Sequence, residues 1–179
     1  MRSIFFSISF SLVTFFGLGQ NYQPVDNGSS VKFSIKNFAQ NVVGGFKGLA
    51  GTIRFNATDP GSATFNVSID ANTINTGNSG RDSHLRKEEY FDVQKYPKIN
   101  IISKKITTSD KSGVYILTAT VNMKGVSKEI SFPFTVVQQN ESLLLKGEFK
   151  LNRRDFKVGN GSLILSDNLT VSVSVLAKK

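Results

Sequence analysis

The sequence predicts an all-β protein, on three observations: apolar residues recur at every second position in a series of separate runs, short turn signals divide those runs, and no long stretch carries helical spacing. Consecutive strands with short connections favour an antiparallel meander over parallel units joined by helices. About eight such strands close as a barrel or pack as a sandwich, and closure also removes exposed edges.

The first run is Val31, Phe33 and Ile35, the second Ile53 and Phe55, and the third Phe65, Val67, Ile69 and Ala71. Asp59-Pro60-Gly61 supplies the turn before the third. The alternation then breaks. Ser79-Gly80-Arg81-Asp82 has capping-box form, with Ser79 as N-cap and Asp82 in the first turn, and predicts a short helix running toward Phe91 and ending before Pro97. Ile99 and Ile101 mark a fourth strand, and Asp110-Lys111-Ser112-Gly113 turns the chain into a fifth through Leu117, Ala119, Val121 and Met123. Lys124-Gly125 leads into Ile130, Phe132, Phe134 and Val136, and Gln138 to Glu141 into Leu143, Leu145, Phe149 and Leu151. Leu169, Val171, Val173 and Val175 close the series.

With 179 residues, one domain is expected, and the absence of cysteine excludes disulfides, thiolate metal sites and cysteine nucleophiles. The single histidine, His84, excludes a multi-histidine metal cage within one chain. Met1 to Gln20 reads as a secretory signal: Arg2 is the positive region, Ile4 to Phe16 the apolar one, and Gly17-Leu18-Gly19 the small-x-small site, so 1–19 is expected to be cleaved, leaving 20–179 as a single domain. The apolar stretch is shorter than a spanning helix needs. Export of a cysteine-free chain of this size suits a bacterial periplasm, or secretion. The formal charge of +9 favours anionic partners.

The inward apolar face can be a packed core or the wall of a ligand cavity, and periodicity does not choose between them. A small outer-membrane barrel inverts the facing, but it needs aromatic girdles, and the chain has no Trp and only 4 Tyr. Charges on the alternate face, among them Lys32, Arg54, Lys98, Lys128, Glu129, Lys146, Glu148 and Lys150, also oppose it, although Lys128 falls in register with the apolar set.

Several short motifs follow one another in an order that resembles the YceI-like family of periplasmic, lipocalin-like polyisoprenoid-binding proteins. Asp26 to Ile35 resembles its opening strand, and Val43-Gly44-Gly45-Phe46-Lys47-Gly48 with Gly51-Thr52-Ile53-Arg54-Phe55 its glycine-rich second segment. Arg81-Asp82-Ser83-His84-Leu85, Phe91-Asp92 and Tyr96-Pro97 resemble its R-D-x-H-L, F-D and Y-P series. Lys124 to Lys128 resembles its K-G-x-T-K hairpin, and Asn152-Arg153-Arg154-Asp155-Phe156 its N-R-x-D-F-G segment, with Lys157 in place of the glycine. The resemblance implies an extended antiparallel up-and-down eight-stranded β-barrel, lipocalin-like, with one short helix beside it and a long apolar tunnel for an isoprenoid chain.

Strands of about ten residues give such a barrel a height of about 25 Å. Phe33, Phe55, Phe65, Val67, Leu117, Val121, Phe132, Phe134, Phe149 and Leu151 are the expected tunnel wall, and Arg81, His84 and Arg153 the expected partners of a polar headgroup. Each has a plainer reading: Arg81 and Asp82 as helix cap and local ion pair, His84 as a hydrogen bond to a strand, and Arg153 or Arg154 as the outward member of an alternating pair. Asp82, His84 and Glu88 are poorly spaced for a metal site, no G-x-S-x-G elbow or phosphate loop is present, and no cofactor is implied. Aromatics on the buried face argue against nucleic acid. The expected function is non-enzymatic carriage or storage of an isoprenoid lipid such as an isoprenoid quinone or polyprenyl phosphate. Lys104-Lys105 and Lys178-Lys179 suit transient contact with an anionic membrane surface, and a paired barrel stays open. The alternatives are a filled barrel acting through its basic surface in envelope stress, and a hydrolase or isomerase using His84 and Asp82.

Overall fold

The computed structural model describes residues 20–179, so the expected signal peptide, 1–19, lies outside the described residues. Eight strands follow in order: β1 (Gln20–Asn37), β2 (Gln40–Phe55), β3 (Thr64–Asn75), β4 (Lys98–Thr108), β5 (Val114–Met123), β6 (Val126–Gln139), β7 (Ser142–Asn152) and β8 (Leu165–Lys178). Each pairs antiparallel with the next, and β8 returns to β1, so the meander closes as a barrel rather than splitting into a sandwich. One helix, α1 (Ser79–Leu85), interrupts it between β3 and β4.

The first two strands are longer than the alternation indicates. β1 pairs from Gln20 onward, but its register shifts between Tyr22 and Val31 against β2, and between Val25 and Ser30 against β8. A bulge of this kind erases the period of two that reveals a strand. Side chains satisfy the amides it leaves unpaired. The Asp26 carboxylate accepts from the Gly48 and Leu49 amides at 2.9 and 3.0 Å, and Ser29 Oγ accepts from the Leu176 amide at 2.8 Å.

The apolar faces point inward, and the outer wall carries the charges: Lys32, Arg54, Lys98, Lys128, Glu129, Lys146, Glu148 and Lys150 are all exposed. Lys128 escapes the interior despite its register because it lies near the start of β6, at the hairpin end of the β5–β6 pair, opposite Val121.

The two ends of the interior differ. Tyr22, Ile53, Phe55, Phe65, Ile106, Leu117, Phe132, Phe134, Leu143 and Leu145 are buried together at one end. Phe132 stacks on Phe149 with ring centroids 4.4 Å apart, Phe65 meets Phe134 edge-on at 5.5 Å, and Tyr115 contacts both Phe55 and Phe134. Gly147 makes room for this plug, because a Cβ there would lie 2.8 Å from Phe132 Cε2. The other end is roofed by α1 with the segment after it, and by the loop between β7 and β8.

Candidate functional site

Under that roof lies an apolar cavity of about 530 Å³. Its wall includes Val31, Phe33 and Ile35 from β1, Phe46 from β2, Ile69 from β3, Ile99 from β4, Val121 and Met123 from β5, Phe149 and Leu151 from β7, and Leu169 and Val171 from β8. Phe91, Phe156 and Val158 complete it from the roof. Phe46 bridges Phe33 and Phe91, at centroid distances of 5.8 and 5.6 Å. The wall depends on Gly44, since a Cβ at that position would fall on the Phe33 ring and against Thr76 Cγ2.

The expected tunnel residues divide between the two ends. Phe33, Val121, Phe149 and Leu151 line the cavity. Phe55, Phe65, Leu117, Phe132 and Phe134 belong to the buried plug, with Val67 packed against it. The interior is therefore a blind cavity above a packed base, not an apolar passage along the full barrel height. Alternation identifies inward-facing positions equally well at both ends, so it could not separate the wall from the plug. Phe46, Phe91, Phe156 and Val158 also line the cavity, and alternation does not assign them to it, because they lie in a glycine-rich strand or outside strands, where a period of two carries no signal.

The roof is built from side chains that grip backbone. Asn78, not Ser79, caps α1: its side chain accepts from the Arg81 amide at 2.9 Å. Asp82 is buried and its Oδ1 accepts from both the amide and the hydroxyl of Thr76. Arg81 Nε donates to Thr76 Oγ1 at 2.7 Å, and its Nη2 to the Thr76 carbonyl at 3.0 Å. Arg81 and Asp82 thus meet through Thr76, which fixes the helix to the end of β3. Arg86 adds bonds to the Asn72 and Ile74 carbonyls at 2.8 and 2.9 Å.

Arg153 opens a 3-10 turn, Arg153–Phe156, so strand alternation does not govern it or Arg154. Its guanidinium is buried and donates to the carbonyls of Ser166, Val158 and Asn160, at 3.0, 2.9 and 2.9 Å, and to Asp167 Oδ1 at 2.6 Å. Most of its donors are already committed, so Arg153 holds the roof loop together. The two halves of the roof join at Glu89, whose carbonyl accepts from the Gly159 amide at 2.9 Å and from Lys124 Nζ at 3.1 Å. Lys124 Nζ also donates to the Lys157 carbonyl at 2.7 Å. Partial burial moves the Lys124 ammonium pKa below its ordinary value, against the opposing pull of Asp92, Glu88 and Glu89.

Polar lining gathers at the roof, with Thr76, Arg81, His84, Glu89, Arg153, Asn160 and Ser162, and Lys32 and Asn37 add to it from β1. His84 is half exposed, with Nε2 3.5 Å from Glu89 Oε2 and its ring edge-on to Tyr90 at 5.0 Å, so its neighbours come from the turn after α1 and not from a strand. Asp82 is committed to Thr76 and His84 faces Glu89, an arrangement unlike a catalytic dyad. Among the described residues, no group of His, Asp and Glu is placed to hold a metal, and no helix is long and apolar enough to cross a membrane.

A closed antiparallel barrel of eight strands with a roofed apolar cavity is a lipocalin-like architecture. The YceI-like domain model matches residues 22–177, and the chain belongs to that family. Protein YceI of Salmonella newport is 26% identical over 153 residues, covering 81% of this chain and 78% of that protein. Among solved structures, Burkholderia cenocepacia BcnA is similar with a TM-score of 0.79 at 21% identity, over 84% of this chain and 96% of that one. A polyisoprenoid binding domain from Saccharophagus degradans is similar with a TM-score of 0.70 at 16% identity, over 90% and 98%.

Proposed function

We propose that the protein is an exported, non-enzymatic carrier or store of an amphiphilic isoprenoid lipid. The tail occupies the cavity, against Phe33, Phe46, Ile69, Phe91, Val121, Phe149 and Leu151. The polar head sits at the roof beside Arg81 and His84. The observation that carries this reading is the cavity itself: about 530 Å³ of apolar space, within the roughly 300–1,000 Å³ typical of small-molecule sites. Burial stabilises a tail by about 0.8 kcal/mol per CH₂ before ordering costs, so the fold can hold a lipid that water rejects. Binding of this kind requires no reacting group. The family, and the similarity to the polyisoprenoid binding domain of Saccharophagus degradans, support the choice of an isoprenoid over other apolar chains.

Arg81 keeps guanidinium donors beyond the two bonded to Thr76, which suits an anionic head such as a polyprenyl phosphate and also serves the carbonyls of a quinone. Arg153 belongs to the roof rather than to the head. Export through 1–19 would place the carrier in the periplasm. The test is organic extraction of protein purified without detergent from its native envelope, followed by mass spectrometry. A stoichiometric isoprenoid is expected, and its loss is expected in a Val171→Trp variant that fills the cavity. An extract lacking isoprenoid, from well-folded protein, would contradict the reading.

A further inference from the structure

The roof carries an apolar feature on its outside that the cavity does not explain. Leu163 and Ile164, in the loop between β7 and β8, are 106% and 57% exposed, and Phe38, in the turn between β1 and β2, is 75% exposed. The two loops are bonded to each other, the Phe38 amide donating to the Ile164 carbonyl. Ile164 also lines the cavity, so the patch is continuous with its wall. Phe38 has a φ of 56°, a left-handed conformation that a bulky side chain adopts only at a cost. Neither its exposure nor its backbone favours stability. The other large exposed apolar side chains, Val43, Ile102 and Val137, lie on three different strands, β2, β4 and β6, and isolated cases of this kind are ordinary.

We propose that Phe38, Leu163 and Ile164 form a membrane-docking rim that inserts into the interface of an anionic bilayer. Cations flank the patch: Lys36 is exposed two residues before Phe38, and the Arg154 guanidinium lies over Gly161, where a Cβ would be 2.7 Å from Nη1. This charge selects the occupant. A second copy of so basic a chain would bring like charges together, whereas an anionic bilayer attracts them and accepts the aromatic and aliphatic tips. The rim differs from Lys104-Lys105 and Lys178-Lys179, the basic pairs that the sequence alone singles out. It builds on the lipid-carrier reading by placing the cavity wall against the surface from which a lipid would come.

The test is flotation with vesicles of phosphatidylglycerol and phosphatidylcholine in equal parts, comparing the protein with a Phe38→Asn/Leu163→Asn variant. Circular dichroism and displacement of a fluorescent lipophilic probe from the cavity serve as controls. The expected result is vesicle binding that weakens about tenfold for each side chain replaced, with folding and probe binding retained. A control variant, Lys104→Gln/Lys105→Gln, should bind vesicles almost as the unmodified protein does. Equal binding by the rim variant, or no binding by the unmodified protein, would overturn the proposal. So would a rim variant that changes only the oligomeric state, which would make the patch a self-association face. Vesicle binding without probe binding would uphold the rim while removing the carrier reading, so the two fail separately.

Discussion

Arg81 and Arg153 look alike as basic residues beside apolar segments, yet their surroundings assign them different work. Arg153 is buried and gives its donors to carbonyls of the roof loop and to Asp167. Arg153→Met should therefore destabilise the fold by about 3 kcal/mol or more, because buried acceptors lose their partners; denaturant unfolding measures this. Arg81 is only half-buried, and its guanidinium bonds Thr76 alone. Arg81→Met should cost about 1–3 kcal/mol of stability, for the two bonds to Thr76, and weaken a polyprenyl phosphate about tenfold or more relative to the headless hydrocarbon, as loss of a charge-assisted hydrogen bond requires. Equal losses for the two ligands would place the head elsewhere. At Gly44 the effect is steric. Gly44→Ala should push the Phe33 ring out of its place on the cavity wall and lower affinity for any apolar ligand, measurable by displacement of a fluorescent probe.

Among the elements, the roof was the least legible in the sequence and the strands the most. Runs such as Leu117, Ala119, Val121 and Met123 alternate without interruption, and all fall in β5. The bulged part of β1, around Asp26 to Ser29, does not alternate and could not be found that way. The helix was legible at its start, although Asn78 rather than the neighbouring Ser79 takes the Arg81 amide, and it ends at Leu85 instead of running toward Phe91, because the chain turns from Arg86 onward. Residues 153–164 carry no period at all. Their shape depends on one guanidinium and on bonds from the Gly159 amide to Glu89 and from Lys124 to the Lys157 carbonyl across the roof. Lys124 gives this roof a pH signature. Its pKa is lowered from 10.5 on folding, so the unfolded chain holds the proton more tightly. Stability should rise with pH from the folded value up to 10.5, and below that window the full cost is present. Lys124→Met should flatten this alkaline rise in unfolding midpoints; an unchanged slope would assign it to another group.

For the whole molecule, closure and the division of the interior matter more than any single contact. Sequence periodicity sufficed for an antiparallel all-β meander, and the order of motifs pointed to the barrel. The packed base was not legible, because the aromatic residues that fill it alternate just as those lining the cavity do. Phe132 and Phe149 form the boundary between plug and cavity. A blind cavity limits how much of a chain is enclosed, so affinity should rise with isoprenoid length and then level off once the cavity is full. Phe132→Ala should extend that limit to longer chains while costing about 3–5 kcal/mol of stability. Calorimetric titration with isoprenoid phosphates of increasing length reads the limit, and thermal unfolding reads the cost.

The most direct test of the central claim, that the cavity under the roof is the lipid site, is a methyl nuclear magnetic resonance titration with geranylgeranyl phosphate. Shifts are expected at Ile35, Ile69, Met123 and Leu169, which line the cavity, and little change at Leu117, Leu143 and Leu145, which are packed in the base. Shifts spread equally over both ends, or confined to the outer wall, would contradict it.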